Sequence, residues 1–138
     1  MKKTLSLFLI ICLTFILFSS CNKPTSNGTL TLVIANEEET VYTVDYKSED
    51  ITNGLFSILD LLNITYTESG GFLNSVGDLV PQPPEYIYIY TSVAEDMDVS
   101  SYALTLEYGG KTLTSAGVGA KDLHIKDGAT IYIGTITY

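Results

Sequence analysis

The chain has 138 residues, of which 46% are hydrophobic, and its 16 acidic residues against seven lysines give a formal net charge of −9 with no arginine. This length and composition suffice for one hydrophobic core and are too small for two. Without a basic stripe the chain cannot neutralise a phosphate backbone or hold anionic lipid by charge, which argues against nucleic acid as a partner.

The first twenty residues have the three-part plan of a bacterial lipoprotein signal peptide. A pair of lysines comes first, an apolar run extends from Leu5 to Phe18, and two serines precede Cys21. The run is short for a transmembrane helix, and a lipoprotein signal peptidase requires small residues before a cysteine. We therefore predict a signal peptide over residues 1–20 and a mature N-terminus at Cys21, acylated with palmitate. An ordinary secreted protein that is cleaved nearby is the alternative.

Loss of this segment changes both the charge and the cysteine content. The segment holds two lysines and no acidic residue, so its removal changes the net charge from −9 to −11. Cys12 leaves with it, and Cys21 then has no partner within the chain, so we expect a domain without a disulfide. Residues 21–28 are polar and are predicted to form a short tether, followed by one domain over residues 29–138.

A hairpin and a helix are the first predicted elements of this domain. Apolar residues alternate over residues 29–34, a turn is expected over 36–40, and β-branched and aromatic residues return over 41–46. In residues 50–62 the spacing of the apolar residues changes to that of a helix lying on a sheet, with Asn63 as its stop. The apolar stripe consists of Ile51, Leu55, Ile58, Leu59 and Leu62.

The rest of the chain is predicted to be strands and turns. The three prolines at positions 81, 83 and 84 interrupt regular structure and indicate a rigid loop. Residues 86–90 then alternate three tyrosines with two isoleucines, which predicts one core face and one face of phenols. The predicted strands after the helix cover residues 64–67, 72–76, 86–90, 102–108, 111–114 and 130–138, with a short segment at 122–125. The pattern predicts an α+β fold, a mostly antiparallel sheet with one packed helix.

Residues suited to catalysis or metal binding are few. His124 is the only histidine, and its position before a turn favours a structural or exposed role. An activated nucleophile needs a base within hydrogen-bond reach, and the sequence does not offer such a pair. Short acidic clusters such as residues 95–98 are typical of solvated loops, and no EF-hand spacing accompanies them. We therefore predict neither an enzyme nor a metal site.

A binding surface is the better-supported prediction. Tyrosines on one strand face are rigid and amphipathic and make good contact surfaces; the alternative is that they only cover the sheet or pack on the proline loop. The loop after residue 114 lacks side-chain bulk, so a ligand or partner could approach its backbone closely; a plain turn is the alternative. The predicted ligand-binding or partner-binding residues are Tyr86, Tyr88, Tyr90, Ser115, Gly117 and Gly119.

A family resemblance rests on several stretches in a fixed order. They are Gly71–Gly77, the tyrosine-rich strand 86–90, the turn at Gly109-Gly110-Lys111 and the closing stretch Asp122–Tyr132. With the opening hairpin and helix, they resemble the bacterial transcobalamin C-terminal-like domain family over roughly residues 28–138. The resemblance implies a β-grasp-like fold on small surface lipoproteins. In the related animal domain the same fold closes over cobalamin, so the resemblance implies cobalamin or a related corrinoid as the candidate ligand.

The predicted function is that of a non-enzymatic lipoprotein on the extracytoplasmic face of a bacterial cell membrane. It would bind a small molecule, with a corrinoid as the candidate ligand and a membrane transporter as the candidate recipient. The alternative is a protein-interaction or adhesion module at the cell surface that uses the tyrosine face and has no small-molecule ligand. Assembly through open sheet edges is a third hypothesis.

Overall fold

A computed structural model describes residues 27–137 of the chain. The predicted signal peptide with Cys12, the predicted acylation site Cys21 and most of the predicted tether lie outside these residues. Within residues 27–137, no helix is both long and apolar enough to cross a bilayer.

The described residues form one α-helix and eight β-strands. The helix, α1, is Leu55–Leu61, and three short 3-10 turns lie at Ser48–Asp50, Ala94–Asp96 and Ala120–Asp122. The strands are β1 (Gly28–Ala35), β2 (Glu39–Tyr46), β3 (Tyr66–Ser69), β4 (Phe72–Val76), β5 (Glu85–Thr91), β6 (Thr105–Tyr108), β7 (Lys111–Ser115) and β8 (Thr130–Thr137).

Six strands form one mixed sheet in the order β2-β1-β8-β5-β7-β6, and β3 pairs with β4 in a separate hairpin. Every pair is antiparallel except β1 with β8, which runs parallel from Thr31 opposite Thr130 to Ile34 opposite Ile133. The α+β prediction is therefore confirmed, with a mostly antiparallel sheet. The parallel pair was not predicted, because alternation along a strand specifies its faces and carries no information on its direction.

The hydrophobic core lies between the sheet and a layer formed by α1 with the β3–β4 hairpin. The helix contributes Leu55, Ile58 and Leu59, each with no exposed surface. They pack in one cluster with aliphatic residues of β1 and β8, among them Leu32 and Ile131. The ring of Phe56 stacks on Tyr66, with centroids 4.9 Å apart, so the hairpin is joined to the helix. We call this side of the sheet the covered face.

The helix is shorter at its start than its apolar stripe predicts. It begins at Leu55 because the preceding Gly54 has φ +55° and ψ −132°, which is not a helical conformation. A Cβ on Gly54 would lie 2.3 Å from the backbone oxygen of Lys121 and 2.6 Å from that of Ala120. Close packing of two backbones therefore sets the start of the helix. Ile51, predicted to be helical, still packs against the core from the segment before it.

Two predicted strands differ from the structure in their bounds. The strand predicted over 102–108 begins only at Thr105, because Ser100 donates its N–H to the Asp98 side chain at 2.8 Å and forms a turn. The short segment predicted at 122–125 begins in the 3-10 turn Ala120–Asp122, and its apolar signal comes from Leu123, which is buried in the core. The strand predicted at 64–67 is β3, which begins at Tyr66 and ends at Ser69.

Candidate functional site

Strand β5 has an open edge along most of its length. On one side it pairs with β8 from Glu85 to Thr91, but on the other side it pairs with β7 only at Tyr90 and Thr91. The chain leaves β7 after Ser115 and makes one more hydrogen bond to β5, from the Ala116 N–H to the Ile89 carbonyl at 2.8 Å. The edge from residue 85 to residue 88 is therefore not covered by a neighbouring strand.

A cleft of about 310 Å³ lies along this edge, and we call it the β5 cleft. No lining residue is charged, and the Phe72 side chain is 63% exposed. Exposed aromatic surface beside a concave site is typical of ligand-binding positions. The lining residues are Phe72, Leu73, Tyr86, Ile87, Tyr88, Ile89, Ala116, Val118 and Ala120.

Among residues 27–137, larger concavities of about 440–570 Å³ also occur, but charged side chains border each of these. The one beside the β1–β2 turn, for example, is bordered by Glu37, Glu38 and Asp78. Binding sites for small organic molecules are lined mainly by apolar and aromatic side chains. The lining therefore favours the β5 cleft over the larger concavities.

The predicted loop residues lie behind the cleft wall. Ser115 is buried, and its hydroxyl accepts the N–H of Leu104 at 3.0 Å. A Cβ on Gly117 would lie 3.1 Å from the α-carbon of Asp98, and one on Gly119 would lie 2.9 Å from the backbone oxygen of Gly71. Both glycines are therefore required for the close packing of this loop on neighbouring backbone. That packing positions the loop as one wall of the β5 cleft.

The side chains that this loop presents to the cleft are those of its neighbours, Ala116, Val118 and Ala120. Among the tyrosines predicted to bind, Tyr86 and Tyr88 line the cleft and Tyr90 does not. The structure thus brings the tyrosine strand and the small-residue loop to one site. Sequence reasoning missed Phe72, whose strand was predicted but whose exposure depends on the tertiary structure.

Five tyrosines form a continuous array on the side of the sheet opposite the core, which we call the tyrosine face; two of them, Tyr86 and Tyr88, also border the β5 cleft at the edge of the strand. Neighbouring ring centroids lie 5.3–6.3 Å apart, and the ring planes are inclined to one another by 60–79°. These are favourable edge-to-face contacts. The array consists of Tyr86, Tyr88, Tyr90, Tyr108 and Tyr132, all half-buried. Val33 and Leu113 are fully buried but lie outside the core cluster, and Val33 is paired with Tyr132.

The phenols at the centre of this array are held neutral. Burial, followed by a hydrogen bond to Glu39, raises the pKa of Tyr132 to about 12. Its hydroxyl donates to the Glu39 carboxylate at 2.9 Å. Burial also raises the pKa of Tyr90. Tyr90 and Tyr132 therefore present aromatic surface and neutral hydroxyl groups at neutral pH.

A buried aspartate paired with His124 stabilises the segment behind the cleft wall. Asp96, which the sequence placed in a solvated loop, is only 1% exposed. Its carboxylate accepts the His124 backbone N–H at 2.7 Å and is hydrogen-bonded to Nδ1 of the same residue at 2.6 Å. That side-chain hydrogen bond is the main reason that the pKa of His124 is raised. The Asp96 carbonyl in turn accepts the Gly117 N–H at 2.8 Å.

The pair was not predictable from sequence, because Asp96 and His124 lie 28 residues apart in the chain. His124 has a side chain that is 59% exposed and paired, so its predicted structural and exposed roles occur together. Within residues 27–137, no group of three or more His, Cys, Asp or Glu residues is arranged to hold a metal ion. The sequence matches no protein-family model and no curated protein.

Proposed function

We propose that this chain is a lipid-anchored binding domain on the extracytoplasmic face of a bacterial cell membrane, and that its β5 cleft captures a small molecule. The observation that carries the proposal is the meeting of Tyr86 and Tyr88, the small-residue loop and exposed Phe72 around an uncharged cleft. A volume of about 310 Å³ is at the low end for ligand sites, which suits a small ligand or one edge of a larger planar one.

A β-grasp-like fold is the second part of the proposal. Its support is the arrangement of the main sheet, in which the first and last strands are parallel neighbours near the centre and one helix packs across the sheet. With the stretches that resemble the transcobalamin C-terminal-like family, this makes a corrinoid the first ligand class to test. Fold analogy is an associational argument, so the ligand requires direct measurement. A membrane transporter is the proposed recipient.

Calorimetric and absorbance titration of the purified protein with cobinamide and cobalamin tests capture. We expect saturable binding with a Kd of about 1 μM or tighter, equivalent to about −8 kcal/mol. Phe72→Ser should weaken this binding by about tenfold or more. The matched control is Tyr102→Ser, since Tyr102 is also an exposed aromatic residue, at 82%, and lies away from the cleft. Absence of binding to either compound would remove the corrinoid hypothesis.

Membrane attachment needs a separate test, because Cys21 lies outside the described residues. Cys21→Ala should move the protein from the membrane fraction to the soluble extracytoplasmic fraction. The variant's retention in the membrane fraction would contradict lipid anchoring through this cysteine.

The tyrosine face supports a second candidate function, a protein-interaction or adhesion module. Five half-buried rings in continuous contact form a rigid surface that would lose little side-chain entropy on binding. If this is the functional surface, Tyr108→Glu should abolish cross-linking to a cell-surface partner, whereas Phe72→Ser should leave it intact. The reverse result would assign the interaction to the β5 cleft.

A further inference from the structure

The backbone groups of Ile87 point toward the open edge of β5, and Ile87 lines the β5 cleft beside that edge. On the β8 side, Ser92 donates its N–H to the Thr130 carbonyl at 3.0 Å. On the opposite side, the Ile89 carbonyl accepts the N–H of Ala116 at 2.8 Å. Alternate residues of a strand direct their backbone N–H and C=O groups to opposite sides. The even-numbered residues of β5 therefore form their backbone hydrogen bonds with β8. Ile87 directs both its N–H and its C=O away from β8.

These two groups have no strand beside them. The β5–β7 register contains only Tyr90 and Thr91, and none of the hydrogen bonds found outside the strand ladders in residues 27–137 involves Ile87. A backbone N–H and C=O are strong hydrogen-bonding groups that require partners. In an extended residue they lie side by side, so Ile87 offers one donor and one acceptor to a single ligand group.

We propose that the β5 cleft selects small molecules that carry a primary carboxamide on an apolar body. The carboxamide oxygen accepts the Ile87 N–H, one carboxamide N–H donates to the Ile87 carbonyl, and the apolar body contacts Phe72 and Val118. This inference rests on the proposed function, because it names the ligand class for the same cleft.

Neighbouring residues favour a single amide group over an added strand. The Ile89 carbonyl is already bonded to Ala116, and Glu85 donates its N–H to the Gln82 carbonyl at 2.8 Å. A second copy of β5, paired antiparallel about Ile87, would place its own Glu85 beside Ile89, where Ala116 lies. The edge is therefore blocked for a long strand but open for one amide.

The lining also selects for a neutral group. None of the side chains around the β5 cleft is charged, so a ligand carboxylate or ammonium would lose hydration there without gaining a counter-ion. A carboxamide offers a donor and an acceptor without that cost.

A pair of matched probes tests the proposal on the full-length protein as purified. Naphthalene-2-carboxamide carries the donor and the acceptor, whereas methyl naphthalene-2-carboxylate has the same apolar body without an N–H. NMR titration that follows the Ile87 amide signal should show the carboxamide binding at least about tenfold more tightly, since a site built to hydrogen-bond a group rejects the analogue that lacks it.

Two variants at the same position separate backbone from side chain. Ile87→Pro removes the N–H, which a strand tolerates at a position whose N–H does not pair, and it should abolish the preference for the carboxamide. Ile87→Ala retains the N–H and should keep that preference. Hydrogen exchange of the Ile87 amide gives a readout that does not depend on the proline variant folding. Exchange should be fast in the free protein and slower with the carboxamide bound.

The outcomes separate this inference from the proposed function. Equal binding of both probes in the cleft, or fast exchange that the carboxamide does not slow, would overturn the carboxamide inference and leave capture by the cleft standing. Binding of neither probe, or signal changes confined to residues outside the cleft, would count against both.

Discussion

The two faces of the main sheet differ in how completely they are buried. On the covered face, β1 and β8 contribute Leu30, Leu32, Ile131 and Ile133, which are at most 1% exposed under α1 and the hairpin. On the tyrosine face, β8 and β5 carry rings that are only half-buried and touch one another edge to face. One strand of alternating sequence can therefore supply both a packed core and an accessible aromatic surface, because successive side chains point to opposite sides of the sheet.

The largest expected effect is on the covered face. Leu59→Ala should lower the free energy of unfolding by about 2–5 kcal/mol, because Leu59 has no exposed surface and the deletion leaves a cavity. Denaturant unfolding followed by circular dichroism measures this. The control is Val41→Ala on β2, where the side chain is 52% exposed and a change within about 0.5 kcal/mol is expected. Equal losses at the two sites would contradict the burial difference.

A smaller effect is expected on the tyrosine face. Tyr88→Leu keeps an apolar side chain but removes two ring contacts, at 6.3 Å to Tyr86 and 5.3 Å to Tyr90. At about 0.5–1.5 kcal/mol for each aromatic pair, the expected loss is about 1–3 kcal/mol. The same unfolding assay applies, with Tyr102→Leu as an exposed control. If Tyr88→Leu cost as much as the largest core deletions, the tyrosine face would be a second core.

Alkaline titration tests the environment of a single phenol on the tyrosine face. Tyr132 has its pKa raised to about 12, above the usual value of about 10, so an absorbance titration at about 295 nm should include a phenol that ionises late. The fold binds this proton more tightly than the unfolded chain does, so its contribution to stability is complete below about pH 10 and is lost as the pH rises through 12. Tyr132→Phe should remove the late phase, whereas Glu39→Gln should only move it to lower pH. A late phase unchanged in Tyr132→Phe would disprove the assignment.

The smallest expected effect is the contribution of the Asp96–His124 pair to the pH dependence of stability. Because the pKa of His124 is raised in the folded state, its stabilisation is complete below about pH 6.5 and is lost as the pH rises through the raised value. The midpoint of thermal unfolding should therefore fall between pH 6 and pH 9. His124 is the only histidine, so His124→Gln should flatten this dependence. A dependence that persists in the variant would assign it to another group.

Sequence reasoning succeeded where a local pattern determines the structure. The alternation of residues 86–90 gave β5 and its two faces, and the apolar stripe gave most of α1. It failed where residues distant in the chain determine the local structure. Gly54 packs on the turn at 120–122, so the helix begins later than predicted, and Asp96 is hydrogen-bonded to a histidine far along the chain. For the cleft, Tyr86 and Tyr88 were predicted, but the early departure of β7 that opens it leaves no sequence signal.

The parallel pairing of β1 with β8 governs the order in which the protein can mature. Thr31 lies opposite Thr130, nearly a hundred residues later in the chain. The centre of the main sheet therefore cannot close until residues 130–133 have been synthesised, and such distant pairing is slow to form. Since β8 lies between β1 and β5, the pair β2-β1 and the group β5-β7-β6 become one sheet only when β8 is added between them.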